Sequence, residues 1–162
     1  MVAAGSESAP TAPPSASHQA VVRAQERLKQ TGLDLHLEAR GLVISLPQAI
    51  LFASGEDRIN ASALPIISQI ADVLRDLDNK VELAGHADSV PIHNRRFKNN
   101  WELSSARGLS LLNALTNQYG IAESRLTVSS YGSFSPKSSN DTADGRAENR
   151  RVEILILDQS QQ

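Results

Sequence analysis

The chain has 162 residues and a formal net charge of −2 at pH 7, with 16 Lys and Arg against 18 Asp and Glu. This balance argues against a nucleic-acid partner, because neutralising phosphates requires an excess of basic side chains on one face. The absence of cysteine excludes disulfides and thiolate metal sites, and no apolar run reaches the roughly 18 residues that a membrane span needs.

The first residues predict additional segments ahead of a single domain. Residues 1–17 are small, polar and Pro-rich, so they cannot bury apolar area and are predicted to be a disordered linker without a secretory signal. A short helical segment is predicted over residues 18–31, with the helix from His18 to Gln30 stopped by Gly32. Its narrow apolar side predicts weak burial, and therefore an element that can pack against the domain or release from it.

Residues 32–158 form the predicted domain, and residues 159–162 a tail. Apolar residues recur with period two in the candidate strands and with period 3.6 in the candidate helices. The predicted elements are strands at 33–37 and 42–46, a helix at about 61–77, a strand at 80–85, a helix at 100–118, and strands at 125–131 and 150–157. A polar loop is predicted at 133–144. This order predicts an α/β fold, a two-layer sandwich with a mixed sheet.

The polar stretch from Gly85 to Gly108 is the candidate binding site, since it joins the end of a strand to the start of a helix. Asp88 lies just past the strand, and Arg107 lies two turns into the helix. A carboxylate and a guanidinium that lie close together can bind a zwitterion, because one takes the ammonium group and the other the carboxylate group. A purely structural ion pair between Asp88 and Arg107 is the alternative.

A metal site is a second alternative, because His86, Asp88 and His93 offer nitrogen and oxygen ligands within eight residues. Their spacing fits no helical two-histidine motif, and Pro91 separates His93 from the strand. The sequence also contains no nucleophile elbow and no glycine-rich phosphate loop. We therefore expect neither an enzyme nor a cofactor.

Three ordered motifs carry a resemblance to a known family. They are GHADSVPI from Gly85, NNWELSSARG ending at Gly108, and NDTADGRAENRRVEI from Asn140 to Ile154. Together they resemble the OmpA-like (OmpA/MotB) peptidoglycan-binding domain over roughly residues 41–157. The tryptophan of NWELS and the GLVISL…LFASG run resemble its flagellar stator branch, the MotB-like proteins. Ala87 and Gly108 depart from the usual Thr and Ala, and the glycine is expected to weaken its helix by about 1 kcal/mol.

The resemblance implies an OmpA-like βαβαβ(β) fold that binds peptidoglycan non-covalently. It assigns Asp88 and Arg107 to the free amino-acid end of diaminopimelate in the stem peptide. Asn100 and Leu103 match family positions near that pocket. In the last strand, Arg150 is expected to approach the ligand, whereas Arg151 is expected to be solvated or paired with Glu153.

The stator resemblance also implies partners and a location. It implies a homodimer, a MotA-like stator subunit bound through a transmembrane segment outside this sequence, and no nucleic acid. The chain would then be the periplasmic domain of an inner-membrane single-pass protein. A tether of the OmpA or Pal kind, which holds the outer membrane to peptidoglycan, is the alternative.

Overall fold

The computed structural model describes residues 15–159. The predicted disordered linker and the predicted tail therefore lie largely outside the described residues. The helices and strands are α1 (Ala16–Leu28), β1 (Asp34–Glu38), β2 (Gly41–Pro47), α2 (Gln48–Leu51), α3 (Leu64–Arg75), β3 (Val81–His86), α4 (Asn100–Asn117), β4 (Leu126–Gly132), α5 (Ala143–Asn149) and β5 (Arg151–Leu157).

The five strands form one mixed sheet in the order β1-β2-β5-β3-β4. Strands β3 and β4 are parallel and are connected through α4, while the other neighbouring pairs are antiparallel. Alternate residues of the three inner strands point to the helices, and they form the main core with apolar residues of α1, α3 and α4. The predicted two-layer α/β sandwich with a mixed sheet is confirmed.

Helix α1 is more firmly packed than its sequence predicts. It begins at Ala16 rather than His18, because the Ser15 hydroxyl caps it by accepting a hydrogen bond from the backbone N–H of His18 at 3.0 Å. The expectation of weak burial is wrong, since Val21, Ala24 and Leu28 are at most 1% exposed and belong to the main core. The buried residues of α1 are Ala20, Val21, Ala24 and Leu28, so a narrow apolar stripe is sufficient for full burial.

Two further elements differ from their predictions. The expected half-buried strand at 33–37 is an edge strand, β1, in which Leu37 remains 45% exposed. The polar segment before β5 contains an unpredicted helix, α5, capped by the Thr142 hydroxyl, which accepts from the N–H of Gly145 at 2.9 Å. Its sequence, ADGRAEN, has no apolar stripe, so hydrophobic periodicity could not reveal it.

Two glycines allow α4 to lie directly on the sheet. A Cβ atom at Gly85 would fall 2.2 Å from the carbonyl oxygen of Ser104, and one at Gly108 would fall 2.7 Å from Cγ1 of Val128. Gly108 therefore has a packing role in addition to the low helix propensity that the sequence indicates. It permits the close contact between α4 and β4 that positions the rest of the helix.

Candidate ligand-binding site

A cavity of about 510 Å³ opens at the carboxyl end of β3, between the loop after α2, the start of α4 and the junction of α5 with β5. It brings together all five predicted site residues, from segments separated by up to 62 positions in the sequence. The lining residues are Gln48, Ser54, Gly55, Ala87, Asp88, Val90, Pro91, Ile92, Asn100, Leu103, Arg107, Arg146 and Arg150.

Asp88 is buried at the cavity wall and holds an ion pair, although not the predicted one. Arg150 Nη1 donates to Asp88 Oδ2 at 2.6 Å, and the N–H of Val90 donates to Asp88 Oδ1 at 3.0 Å. The alternative of an Asp88–Arg107 ion pair is wrong, because the partner of Asp88 is Arg150. That arginine lies at the end of α5, one residue before β5 begins, and its side chain is 38% exposed.

Arg107 is a buried cation that has no carboxylate partner among residues 15–159. Its residue is 3% exposed, its Nε donates to the carbonyl oxygen of Glu56 at 2.9 Å, and its guanidinium lies 5.1 Å from the centre of the Phe52 ring. The buried Nη2 has no hydrogen-bond partner among the described residues. Burial, reinforced by the positive charge of Arg150 and opposed by the negative charge of Asp57, lowers the pKa of Arg107 to about 10. The group is still protonated at neutral pH, so the cavity offers an unsatisfied positive charge.

Asn100 and Leu103 shape the cavity rather than supply charge to it. The Asn100 amide donates to the carbonyl oxygens of Asp88 and Val90, at 3.3 and 3.0 Å, and so fixes the loop that carries the carboxylate. Leu103, one helical turn further along α4, is 5% exposed and provides an apolar wall. The Asn99 side chain caps the start of this helix by accepting a hydrogen bond from the N–H of Glu102 at 3.0 Å.

Arg146 is the charged lining residue that the sequence interpretation missed. It lies on α5, and its Nη1 donates to the carbonyl oxygen of Asn140 at 2.8 Å. Gln48 and Ser54 were missed as well, although both lie in or beside the LFASG run that carries part of the stator resemblance. The position of Arg146 four residues before Arg150 in the GRAENRR motif was an available signal.

The structure separates the three residues of the metal-site alternative, His86, Asp88 and His93. His86 is 4% exposed, stacks on Tyr131 with 4.9 Å between ring centres, and places Nε2 3.2 Å from Oε1 of Glu153 without hydrogen-bond alignment. Asp88 faces the cavity, and His93 is exposed in the following loop. No group of three potential metal ligands occurs within residues 15–159.

Of the two alternatives expected for Arg151, solvated or paired with Glu153, the structure shows the second, and the side chain is buried. Arg151 Nε donates to Oε2 of Glu153 at 2.9 Å. Burial alone would raise the pKa of Glu153, but its contacts with His86 and Arg151 outweigh burial and lower that pKa to about 2.

Comparison with known proteins shows which family and which relatives the chain resembles. The profile of the OmpA family matches residues 51–150. Motility protein B of Bacillus subtilis is 33% identical over 126 residues, which cover 77% of this chain and 48% of that protein. The chain spans about half the length of the curated relatives it matches.

The chain also resembles solved structures in its fold. The periplasmic domain of Helicobacter pylori MotB superposes with a TM-score of 0.71 at 32% identity, over 80% of this chain and 81% of that one. The cell wall anchor of the T6SS from Pseudomonas aeruginosa superposes with a TM-score of 0.74 at 31% identity, over 85% and 96%. None of the helices among residues 15–159 has the length and hydrophobicity that a membrane span requires.

Proposed function

The chain belongs to the OmpA family, and we propose that its cavity binds peptidoglycan non-covalently through the free amino-acid end of diaminopimelate in the stem peptide. The observation that carries this proposal is Arg107, a buried guanidinium that lines the cavity together with Asp88 and whose Nη2 has no hydrogen-bond partner among residues 15–159. A ligand carboxylate would supply the counter-ion that Arg107 lacks within the described part of the chain. The ligand ammonium would share Asp88 with Arg150, whose half-exposed side chain can move aside.

The arrangement supports binding rather than catalysis. Charge-assisted hydrogen bonds from a guanidinium fork hold a carboxylate in a fixed plane, and a neighbouring carboxylate selects an amine at the same carbon. Asn100 and Leu103 keep the loop and the apolar wall in place around these two charges. We accordingly propose a binding module and not an enzyme.

For the whole protein, we propose a flagellar stator subunit that this domain anchors to the cell wall. The similarity to Motility protein B and to the periplasmic domain of MotB supports this assignment. The proposal includes a periplasmic location for this domain of an inner-membrane single-pass protein, a homodimer, and a MotA-like partner bound through a membrane segment outside this sequence. An OmpA- or Pal-type tether is the second candidate. The similarity to a cell wall anchor of the T6SS indicates that related domains serve other assemblies.

Co-sedimentation with purified peptidoglycan sacculi tests the binding proposal. Asp88→Asn and Arg107→Met should each abolish co-sedimentation while the protein remains folded, because losing one member of a desolvated charge pair costs about 2–5 kcal/mol. Asp76→Asn and Arg23→Gln make similar charge changes at exposed sites away from the cavity and should bind like the wild type. Variants of Asp88 and Arg107 that melt early yet still co-sediment would show that these residues have a structural role only.

A further inference from the structure

The charges around the cavity do not balance. Among the described residues, its lining contains three guanidinium groups, of Arg107, Arg146 and Arg150, but only one carboxylate, Asp88. Asp88 and Arg150 neutralise each other at 2.6 Å. Two positive charges, those of Arg107 and Arg146, therefore remain without an anionic partner among residues 15–159. A single zwitterionic ligand end supplies only one carboxylate, which the proposed function assigns to Arg107.

Arg146 is held in a position from which it can bind an anion. Its Nη1 donates to the carbonyl oxygen of Asn140, and this is the guanidinium's hydrogen bond within the described part of the chain. The loop that provides this carbonyl is itself fixed, because Asn140 Oδ1 accepts from the Asn149 amide at 2.9 Å and from the N–H of Ser89 at 3.2 Å. One donor thus orients the side chain, while the remaining donors of the planar group stay available at the cavity.

We propose that Arg146 binds a second carboxylate of the same stem peptide, so that the site selects stems with free carboxylates over amidated stems. This inference rests on the proposed function, since it assumes that Arg107 and Asp88 take the free end of diaminopimelate. The second carboxylate has two possible sources in the stem. One is the α-carboxylate of the D-glutamyl residue that precedes diaminopimelate, and the other is the diaminopimelate carboxylate on the peptide-bonded side. Both present the same planar anion, a short distance from the free end.

Amidation provides a sharp test, because it replaces a carboxylate by a neutral group of nearly the same shape. Three synthetic tripeptides are required: the free acid, a form amidated at the D-glutamyl α-carboxyl group, and a form amidated at the peptide-side carboxyl group of diaminopimelate. Calorimetry on the wild type should show tighter binding of the free acid than of one amidated form, by roughly ten- to a hundredfold, since a hydrogen bond to a charged group is lost. The amidated form that binds weakly identifies the source of the second carboxylate.

Variants of Arg146 test whether this residue causes the discrimination. Arg146→Gln should bring the affinity ratio between free and amidated peptide close to one, and Arg146→Lys, which keeps the charge without the fork, should give an intermediate ratio. Arg23→Gln removes the same charge at an exposed position on α1 and should leave the ratio unchanged. The ratio separates this role from a merely structural one, because loosening the loop at Asn140 would weaken both peptides alike.

Two results would overturn the inference while leaving the proposed function intact. One is equal wild-type affinity for all three peptides, and the other is an Arg146→Gln variant that keeps the full discrimination. If none of the peptides binds the wild type, the proposed function itself fails, and the role of Arg146 fails with it. Should Arg146→Gln not fold, an Arg146→Lys variant with an unchanged ratio overturns the inference equally.

Discussion

Two buried arginines, Arg107 and Arg151, differ in what surrounds their guanidinium groups. Arg151 pairs with Glu153 and donates to the carbonyl oxygens of Asn149 and Ser135, so its charge is compensated. Arg107 has one carbonyl oxygen and the Phe52 ring. A paired buried charge stabilises the local structure only while the pair is complete, whereas an unpaired one is a cost that a ligand can relieve. The first arrangement compensates a buried charge within the fold, and the second is the one that we propose a ligand carboxylate completes.

Removing the carboxylate of Glu153 should reduce stability in a pH-dependent way. Its pKa is about 2 in the folded state against 4.5 for the ordinary group, so it contributes stability that is fully present above pH 4.5 and is lost as the pH falls towards 2. Glu153→Gln should lower the free energy of unfolding by about 2 kcal/mol at pH 7, with a smaller difference at pH 3. Urea unfolding at both pH values measures this, with the exposed Glu26→Gln as control. An equal deficit at both pH values would contradict the assignment.

At the scale of elements, α1 is part of the domain rather than an attachment to it. Its buried side contributes to the main core, and its first turn is tied by polar contacts to the ends of neighbouring elements. The Asn79 amide donates to the carbonyl oxygens of Ser17 and Leu157, at 3.2 and 2.8 Å. His18 Nδ1 lies 2.7 Å from Oδ2 of Asp158. A helix held in this way should unfold together with the sheet.

The substitution Leu28→Ala tests this cooperativity. Leu28 is 1% exposed at the end of α1, so truncation should lower the free energy of unfolding by about 2–5 kcal/mol. The single tryptophan, Trp101, lies on α4 and reports on unfolding of the domain far from the mutation. Its fluorescence should shift to a lower denaturant midpoint in Leu28→Ala and change little in Leu109→Ala, which truncates a half-exposed leucine of α4. An unchanged Trp101 midpoint in Leu28→Ala would mean that α1 detaches on its own.

Hydrophobic periodicity predicts the helices and strands that have an apolar face. The three sequence motifs that resemble the OmpA-like family predict five of the residues that line the cavity. The main strands and the helices α3 and α4 follow from their apolar patterns, while α5 is polar and depends on the Thr142 cap and the backbone packing at Gly145. The spacing of Asp88 and Arg107 predicts that both reach one pocket, but not which arginine pairs with Asp88. That choice depends on the junction of α5 with β5, which brings Arg150 from the other end of the chain.

At the scale of the whole molecule, the cavity is formed by segments that lie far apart in the sequence. Its charged residues come from the loop after β3, from α4, from α5 and from the junction between α5 and β5. Arg107 is held by the carbonyl oxygen of Glu56 in the loop before α3. No single element contains the site, so it exists only in the folded domain. A ligand that binds there should therefore stabilise the whole fold, because it has nothing to bind in the unfolded chain.

Thermal unfolding in the presence of meso-diaminopimelate tests this linkage. A ligand at a hundred times its dissociation constant adds about 2.7 kcal/mol to the free energy of unfolding, which corresponds to a rise of about 5–10 °C in the melting temperature of a domain this size. Pimelate lacks the amines and 1,5-diaminopentane lacks the carboxylates, so neither should reproduce the shift. Arg107→Met removes an unpaired buried charge and should melt no earlier than the wild type, yet it should not respond to diaminopimelate. A shift caused equally by 1,5-diaminopentane, or retained in Arg107→Met, would mean that Arg107 does not receive the ligand carboxylate.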